Sequence, residues 1–87
     1  MYEIVVHKTA LKNIAKAPSF VRILFDELVE DLKQKGVMQP TWKNFSKLGE
    51  NTYHCHLNYS YIACWKLEKN SIKIEVYYAG TRENAPY

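Results

Sequence analysis

An α+β domain with the order β-α-α-β-β-β is the fold class that this chain of 87 residues predicts. Three observations lead there. A β-branched, aromatic run opens the chain, and helical periodicity follows it. From Thr52 onward the apolar pattern changes to a period of two. The gaps between the later strands are so short that the strands must pair antiparallel. Two helices then pack on one face of a mainly antiparallel sheet, in a single domain spanning residues 1–87.

The elements follow in order. Tyr2-Glu3-Ile4-Val5-Val6-His7 has strand character. Thr9 is suited to cap a short helix whose Leu11, Ile14 and Ala15 face inward, and Pro18 stops it. Ser19 is suited to cap a second helix. There Val21, Leu24, Phe25, Leu28 and Leu32 recur at helical spacing, with Arg22, Asp26, Glu30 and Lys33 on the opposite side. Lys33 and Lys35 suit the negative end of the helix dipole, and Gly36 ends the helix. Val37 to Glu50 reads as an irregular connection broken by Pro40, and Leu48-Gly49-Glu50-Asn51 supplies a turn. Tyr53–Leu57, Tyr59–Leu67 and Ser71–Ala79 read as three strands, with turns near Asn58 and Lys69-Asn70. In the last of them Ile72, Ile74 and Val76 form the apolar side, and Lys73, Glu75 and Tyr77 the other.

Composition narrows the class. Hydrophobic residues make up 47% of the chain and charged residues 24%. That balance is ordinary for a compact soluble protein, and glycine and proline are too few for a disordered one. No apolar run reaches the roughly 18 residues of a membrane span, and the start of the chain has no signal-peptide pattern. The expected location is the cytoplasm, with no membrane partner. Cys55 and Cys64 are too few for a disulfide framework and read as small buried hydrophobes. The net charge of +3 is unevenly spread. Asp26, Glu27, Glu30 and Asp31 gather four of the nine acidic residues, leaving five against twelve basic residues elsewhere. Such a surface attracts polyanions.

Chemistry-bearing residues gather in two motifs. In Tyr53-His54-Cys55-His56-Leu57 the strand period puts His54 and His56 on one face and Cys55 and Leu57 on the other. If the helices cover the Cys55 and Leu57 side, both imidazoles point into open, solvent-facing space. Gly80-Thr81-Arg82-Glu83-Asn84-Ala85-Pro86-Tyr87 adds a fixed cation and an aromatic ring at the end of a strand. Two histidines, an arginine and a tyrosine suffice to hold and cleave a phosphodiester. Metal binding by the histidine pair would need a third ligand, and no acidic or cysteine residue has the spacing to supply one. Trp42 and Trp65 read as packing residues. Arg82 has a plainer reading as a surface ion-pair partner of Glu83 or Glu75.

In Leu48-Gly49-Glu50-Asn51-Thr52-Tyr53-His54-Cys55-His56-Leu57 and Tyr78-Ala79-Gly80-Thr81-Arg82-Glu83, with Tyr87 following, the chain resembles the RelE/ParE superfamily of toxins from toxin–antitoxin pairs. The resemblance covers most of the chain. It implies a ribosome-dependent endoribonuclease that cuts messenger RNA, needs no metal or small-molecule cofactor, and is neutralised by a cognate antitoxin protein. In it the RNA 2′-hydroxyl attacks the adjacent phosphorus. His54 and His56 divide the proton transfers, one neutral and one charged, because an imidazole titrates near pH ~6.5. Arg82 engages phosphate oxygens with its planar fork, and Tyr87 offers a stacking face and a hydroxyl. Lys8, Lys12, Lys43 and Lys73 contact RNA without selecting sequence.

The chain departs from the pattern in two ways. The basic pair is histidine where lysine or arginine is common, and a second family arginine falls on Ser60 or Ile62, for which Lys8, Lys12 or Lys43 is the available substitute. The alternatives are a ParE-like toxin that inhibits DNA gyrase without catalysis, and a degenerate member that only binds its antitoxin or RNA.

Overall fold

In a computed structural model describing residues 1–87, the chain forms β1 (Glu3–Val6), α1 (Lys8–Ala15), α2 (Ser19–Lys35), β2 (Ser46–Gly49), β3 (Thr52–His56), β4 (Tyr61–Leu67) and β5 (Lys73–Thr81). A single 3₁₀ turn, Arg82–Asn84, follows. The five strands form one sheet in the order β1-β5-β4-β3-β2. Only β1 and β5 pair parallel; the other three pairings are antiparallel. The expected α+β class, with two helices on one face of a mainly antiparallel sheet, is what the chain adopts.

The core lies between that face and the helices. Ala10, Ile14, Ala17, Val21, Phe25, Leu28 and Leu32 meet Tyr53, Cys55, Leu57, Ala63, Trp65, Ile74, Val76 and Ala79. Trp65 is fully buried and donates its indole N–H to the Val37 carbonyl at 3.1 Å. Its one polar atom is thereby satisfied. Phe45, Tyr53 and Trp65 stack with centroids 6.0 to 6.5 Å apart. Both cysteines are free and buried, and burial pushes each thiol up to about 12. Thiols so placed are inert.

Several local expectations are corrected. The residue before α1 is His7, not Thr9, and Pro18 rather than Ser19 precedes α2. The buried residues of α1 are Ala10 and Ile14, with Ala17 just beyond it. Leu11 and Ala15 are exposed because the helix is rotated to turn Ala10 and Ile14 inward. Ile72 is exposed and precedes β5, which begins at Lys73 and runs on to Thr81. Tyr59 likewise lies outside β4, on the turn.

The largest difference is β2, which lies within the segment expected to be an irregular connection. Ser46 pairs with His54 and Lys47 with Tyr53. The residues before it are held to the end of α2. The Gln39 side chain donates to the carbonyls of Asp31 and Gly36, and the Trp42 indole donates to the Asp31 carboxylate at 2.9 Å. Asp31 therefore fixes this loop rather than merely facing solvent. Gly36 has a φ of 88°. That region penalises residues with a Cβ. An added Cβ there would stand 2.8 Å from the Tyr2 ring.

Candidate active site

The strand period places the two histidines as expected, on the face opposite the helices. Cross-strand pairing then sets their neighbours. His54 lies opposite Ser46 on one side and Cys64 on the other, and His56 opposite Ile62. Ile62 and Cys64 pair in turn with Gly80 and Tyr78. A β-bulge after Cys64 in the β4–β5 ladder shifts the register of β5 next to Tyr77. Such a bulge re-aims side chains, and here the half-buried Tyr77 phenol meets the Cys64 thiol.

The face is not bare. His54 is only 7% exposed, because the chain after β5 folds back and sets the Tyr87 ring 4.7 Å from the imidazole, centroid to centroid. This corrects the expectation that both imidazoles open onto solvent. The Ser46 hydroxyl lies 3.0 Å from His54 Nδ1 and fixes the ring's orientation. His56 is half-buried, its centroid 5.7 Å from that of His54, with Asn44 Nδ2 at 3.5 Å from its Nδ1. The His56 backbone N–H donates to the Lys43 carbonyl at 2.8 Å, which seats Lys43 beside it.

Burial lowers the His54 pKa and outweighs the opposing hydrogen bond that the imidazole can donate to the Ser46 backbone. Burial also lowers that of His56, reinforced by the charges of His54, Arg82 and Lys43. Near neutral pH both rings are mainly uncharged in the free chain. Burial raises the pKa of Tyr87, with Arg82 opposing, so its phenol keeps its proton.

Arg82 is exposed and forms no ion pair; neither Glu83 nor Glu75 holds it. Glu75 is instead engaged by His7 at 2.9 Å and by Lys66 at 3.9 Å. The Arg82 guanidinium stands 6.0 Å from the centroid of the Tyr59 ring, and its backbone N–H donates to the Ser60 carbonyl at 2.8 Å. His54, His56, Tyr87, Arg82 and Lys43 therefore share one end of the sheet.

The other lysines do not join them. Lys8 and Lys12 are exposed on α1, on the helical side of the sheet. Lys73 is paired with Glu68 at 3.8 Å. It begins β5, at the opposite end of that strand from Thr81 and Arg82. Ser46, Asn44 and Tyr59 were not among the expected site residues. The signal available for Ser46 was the Gly49–Asn51 turn, which implies a strand on its far side.

Among the side chains, no group of three or more histidine, cysteine, aspartate or glutamate residues is placed to hold a metal ion. No helix is long and apolar enough to cross a membrane.

No protein-family model matches the sequence, and no curated protein matches it. Solved structures do. The chain superposes on the archaeal RelE–RelB complex from Pyrococcus horikoshii with a TM-score of 0.76 and 17% identity, covering 97% of this chain and 98% of that one. For the intact E. coli RelBE toxin–antitoxin complex the TM-score is 0.75 and the identity 19%, covering 97% and 100%. For a YoeB/ParE toxin from Agrobacterium tumefaciens the TM-score is 0.75 and the identity 7%, covering 92% and 98%. The architecture is that of small α+β toxins from toxin–antitoxin pairs. More narrowly, it is the RelE-like toxin fold.

Proposed function

We propose that this chain is the toxin of a toxin–antitoxin pair, acts in the cytoplasm, and cleaves messenger RNA on the ribosome without a metal ion. The observation that carries the reading is the gathering of His54, His56, Tyr87, Arg82 and Lys43 at one end of the sheet. Two imidazoles, a phenol and two cations match the needs of 2′-hydroxyl attack on phosphorus.

His56 is the better base, being less buried than His54 and kept neutral by burial together with the nearby Arg82 and Lys43 charges. It takes the proton from the 2′-hydroxyl as the oxygen bonds to phosphorus. Arg82 and Lys43 stabilise the negative charge of the phosphorane, Lys43 filling the place of the second arginine. Tyr87 retains its proton near neutrality and donates it to the departing 5′-oxygen. His54, held by Ser46 and covered by Tyr87, fixes the phenol in place. General acid–base help of this kind contributes roughly 10²–10⁴-fold.

The test is primer extension on a reporter message in a translating extract with the chain added. Cuts within codons that disappear when ribosomes are omitted support the reading; an intact message under growth-arresting doses rejects it. A cognate antitoxin is the expected partner, and its co-expression should abolish the cuts. The likeness to a toxin described as YoeB/ParE favours one competing reading, a non-catalytic toxin acting on gyrase. On that reading the His54→Ala, His56→Ala double variant would arrest growth as the parent does.

A further inference from the structure

Beside Arg82 lies a recess whose other lining residues the cleavage chemistry does not use. It has a volume of about 320 Å³ and is lined by Tyr59, Ser60, Thr81, Arg82 and Glu83. We infer that this recess is a subsite for one nucleobase next to the scissile phosphate, and that it selects amino-bearing bases over uracil. The inference rests on the RNA-cleaving reading above and specifies its substrate.

Its size is at the low end of small-ligand sites, enough for a single base ring system. Tyr59 is 80% exposed, yet its position is fixed. The Asn58 side-chain carbonyl accepts the backbone N–H groups of Ser60 and Tyr61 at 2.9 and 2.8 Å, and the Ser60 carbonyl accepts the Arg82 N–H at 2.8 Å. An exposed aromatic ring on a pinned turn is a stacking platform of the kind single-stranded RNA uses. The guanidinium, 6.0 Å from the ring centroid, closes one side and has no carboxylate partner. A cation so placed also favours the ring electrostatically. It is near enough for its charge to act on His56. One residue thus borders both the recess and the catalytic cluster, so a base in the recess stays connected to a phosphate at Arg82.

Glu83 gives the recess its selectivity. Its side chain forms no ion pair or hydrogen bond within the protein. A carboxylate only accepts hydrogen bonds. Adenine and cytosine each present an amino group on the pairing edge, and guanine presents two adjacent N–H donors. Uracil presents one N–H flanked by two carbonyl oxygens, which a carboxylate repels.

Binding of 2′-O-methyl tetranucleotides, which resist cleavage, tests the inference on the purified full chain by amide chemical shifts. The four probes differ at one position only. Adenine, cytosine and guanine probes should move the Tyr59, Arg82 and Glu83 resonances at lower concentration than the uracil probe. Glu83→Gln, which supplies both a donor and an acceptor, should narrow that difference. Tyr59→Ala should weaken all four by about 10- to 100-fold, the loss of one base stack, and Tyr59→Phe should restore binding. Shifts confined to His54 and His56, with Tyr59 and Glu83 unmoved, overturn the subsite and leave the nuclease reading standing. Base-dependent shifts at Tyr59 and Glu83 without ribosomal cleavage overturn the nuclease reading and leave the subsite standing.

Discussion

The Tyr87 ring lies 4.7 Å from the His54 imidazole, tilted by 58°, and is the cover that removes this histidine from water. Cover and proton donor are separable roles. Tyr87→Ala should return the His54 pKa toward its ordinary value by readmitting water, whereas Tyr87→Phe should leave it lowered. Imidazole proton resonances followed across pH would show this directly. Ribosomal cleavage should fall in both variants, by roughly 10²–10⁴-fold for the phenylalanine, which keeps the ring and loses only the donor. Full activity in Tyr87→Phe would assign the leaving-group proton elsewhere.

Acid should destabilise the fold earlier than its carboxylates alone would. Because the folded pKa values of His54 and His56 are depressed, the unfolded chain takes up protons first as pH falls. Their contribution is fully present above the unfolded value of ~6.5 and is lost as pH drops through the lower folded values. Glu75, lowered mainly by its hydrogen bond from His7, adds a second loss below its usual 4.5. Urea melts between about pH 7 and 5 should slope downward toward acid, and His54→Gln should flatten that slope.

Arg82→Lys keeps a charge beside His56 but loses the planar fork. Cleavage should fall about 10²–10³-fold, the usual cost of losing one oriented donor to a developing oxyanion. Its melting temperature should match the parent's, since the Arg82 side chain is exposed and pairs with no carboxylate. An unchanged rate would show that charge alone suffices there.

Two substitutions on the helix-facing side of the fold test the packing. Trp65→Ala should cost ~3–5 kcal/mol through the cavity it leaves beside Phe45 and Tyr53. Gly36→Ala should cost about 1–3 kcal/mol, from the positive φ and the collision with Tyr2. Chemical denaturation of both would check the figures, and a neutral Gly36→Ala would mean that the turn at the end of α2 adjusts freely.

Periodicity carried most of the architecture. The spacing of Val21, Phe25, Leu28 and Leu32 marks the buried face of α2, and the alternation through Tyr53–Leu57 separates the histidines from the core. β2 is hidden because an edge strand contacts little, so Ser46-Lys47-Leu48-Gly49 carries no apolar alternation. The phase of α1 is obscured since the helix rests on alanines, whose pattern is weak beside that of Leu11. The site is legible as a set of residue types but not as an enclosure. The return of the chain over His54 depends on a backbone reversal at Arg82–Asn84, and no strand or helix pattern encodes it. Bare lysine counts are equally uninformative: Lys43 sits beside His56 through its backbone carbonyl, on a loop that Gln39 and Trp42 tether to α2.

The parallel seam between β1 and β5 has a temporal consequence. Residues 3–6 find their partners only at 73–76, so the earliest strand made waits for nearly the whole chain before it can join the sheet. Contacts this distant in sequence are slow to close. During synthesis the N-terminal strand and both helices have no sheet to cover, and the cluster around His54 and His56 forms last, once Arg82 and Tyr87 have been added. On the reading proposed above, the chain would carry no cleaving site until that moment, and a neutralising partner made alongside it would gain that interval to arrive.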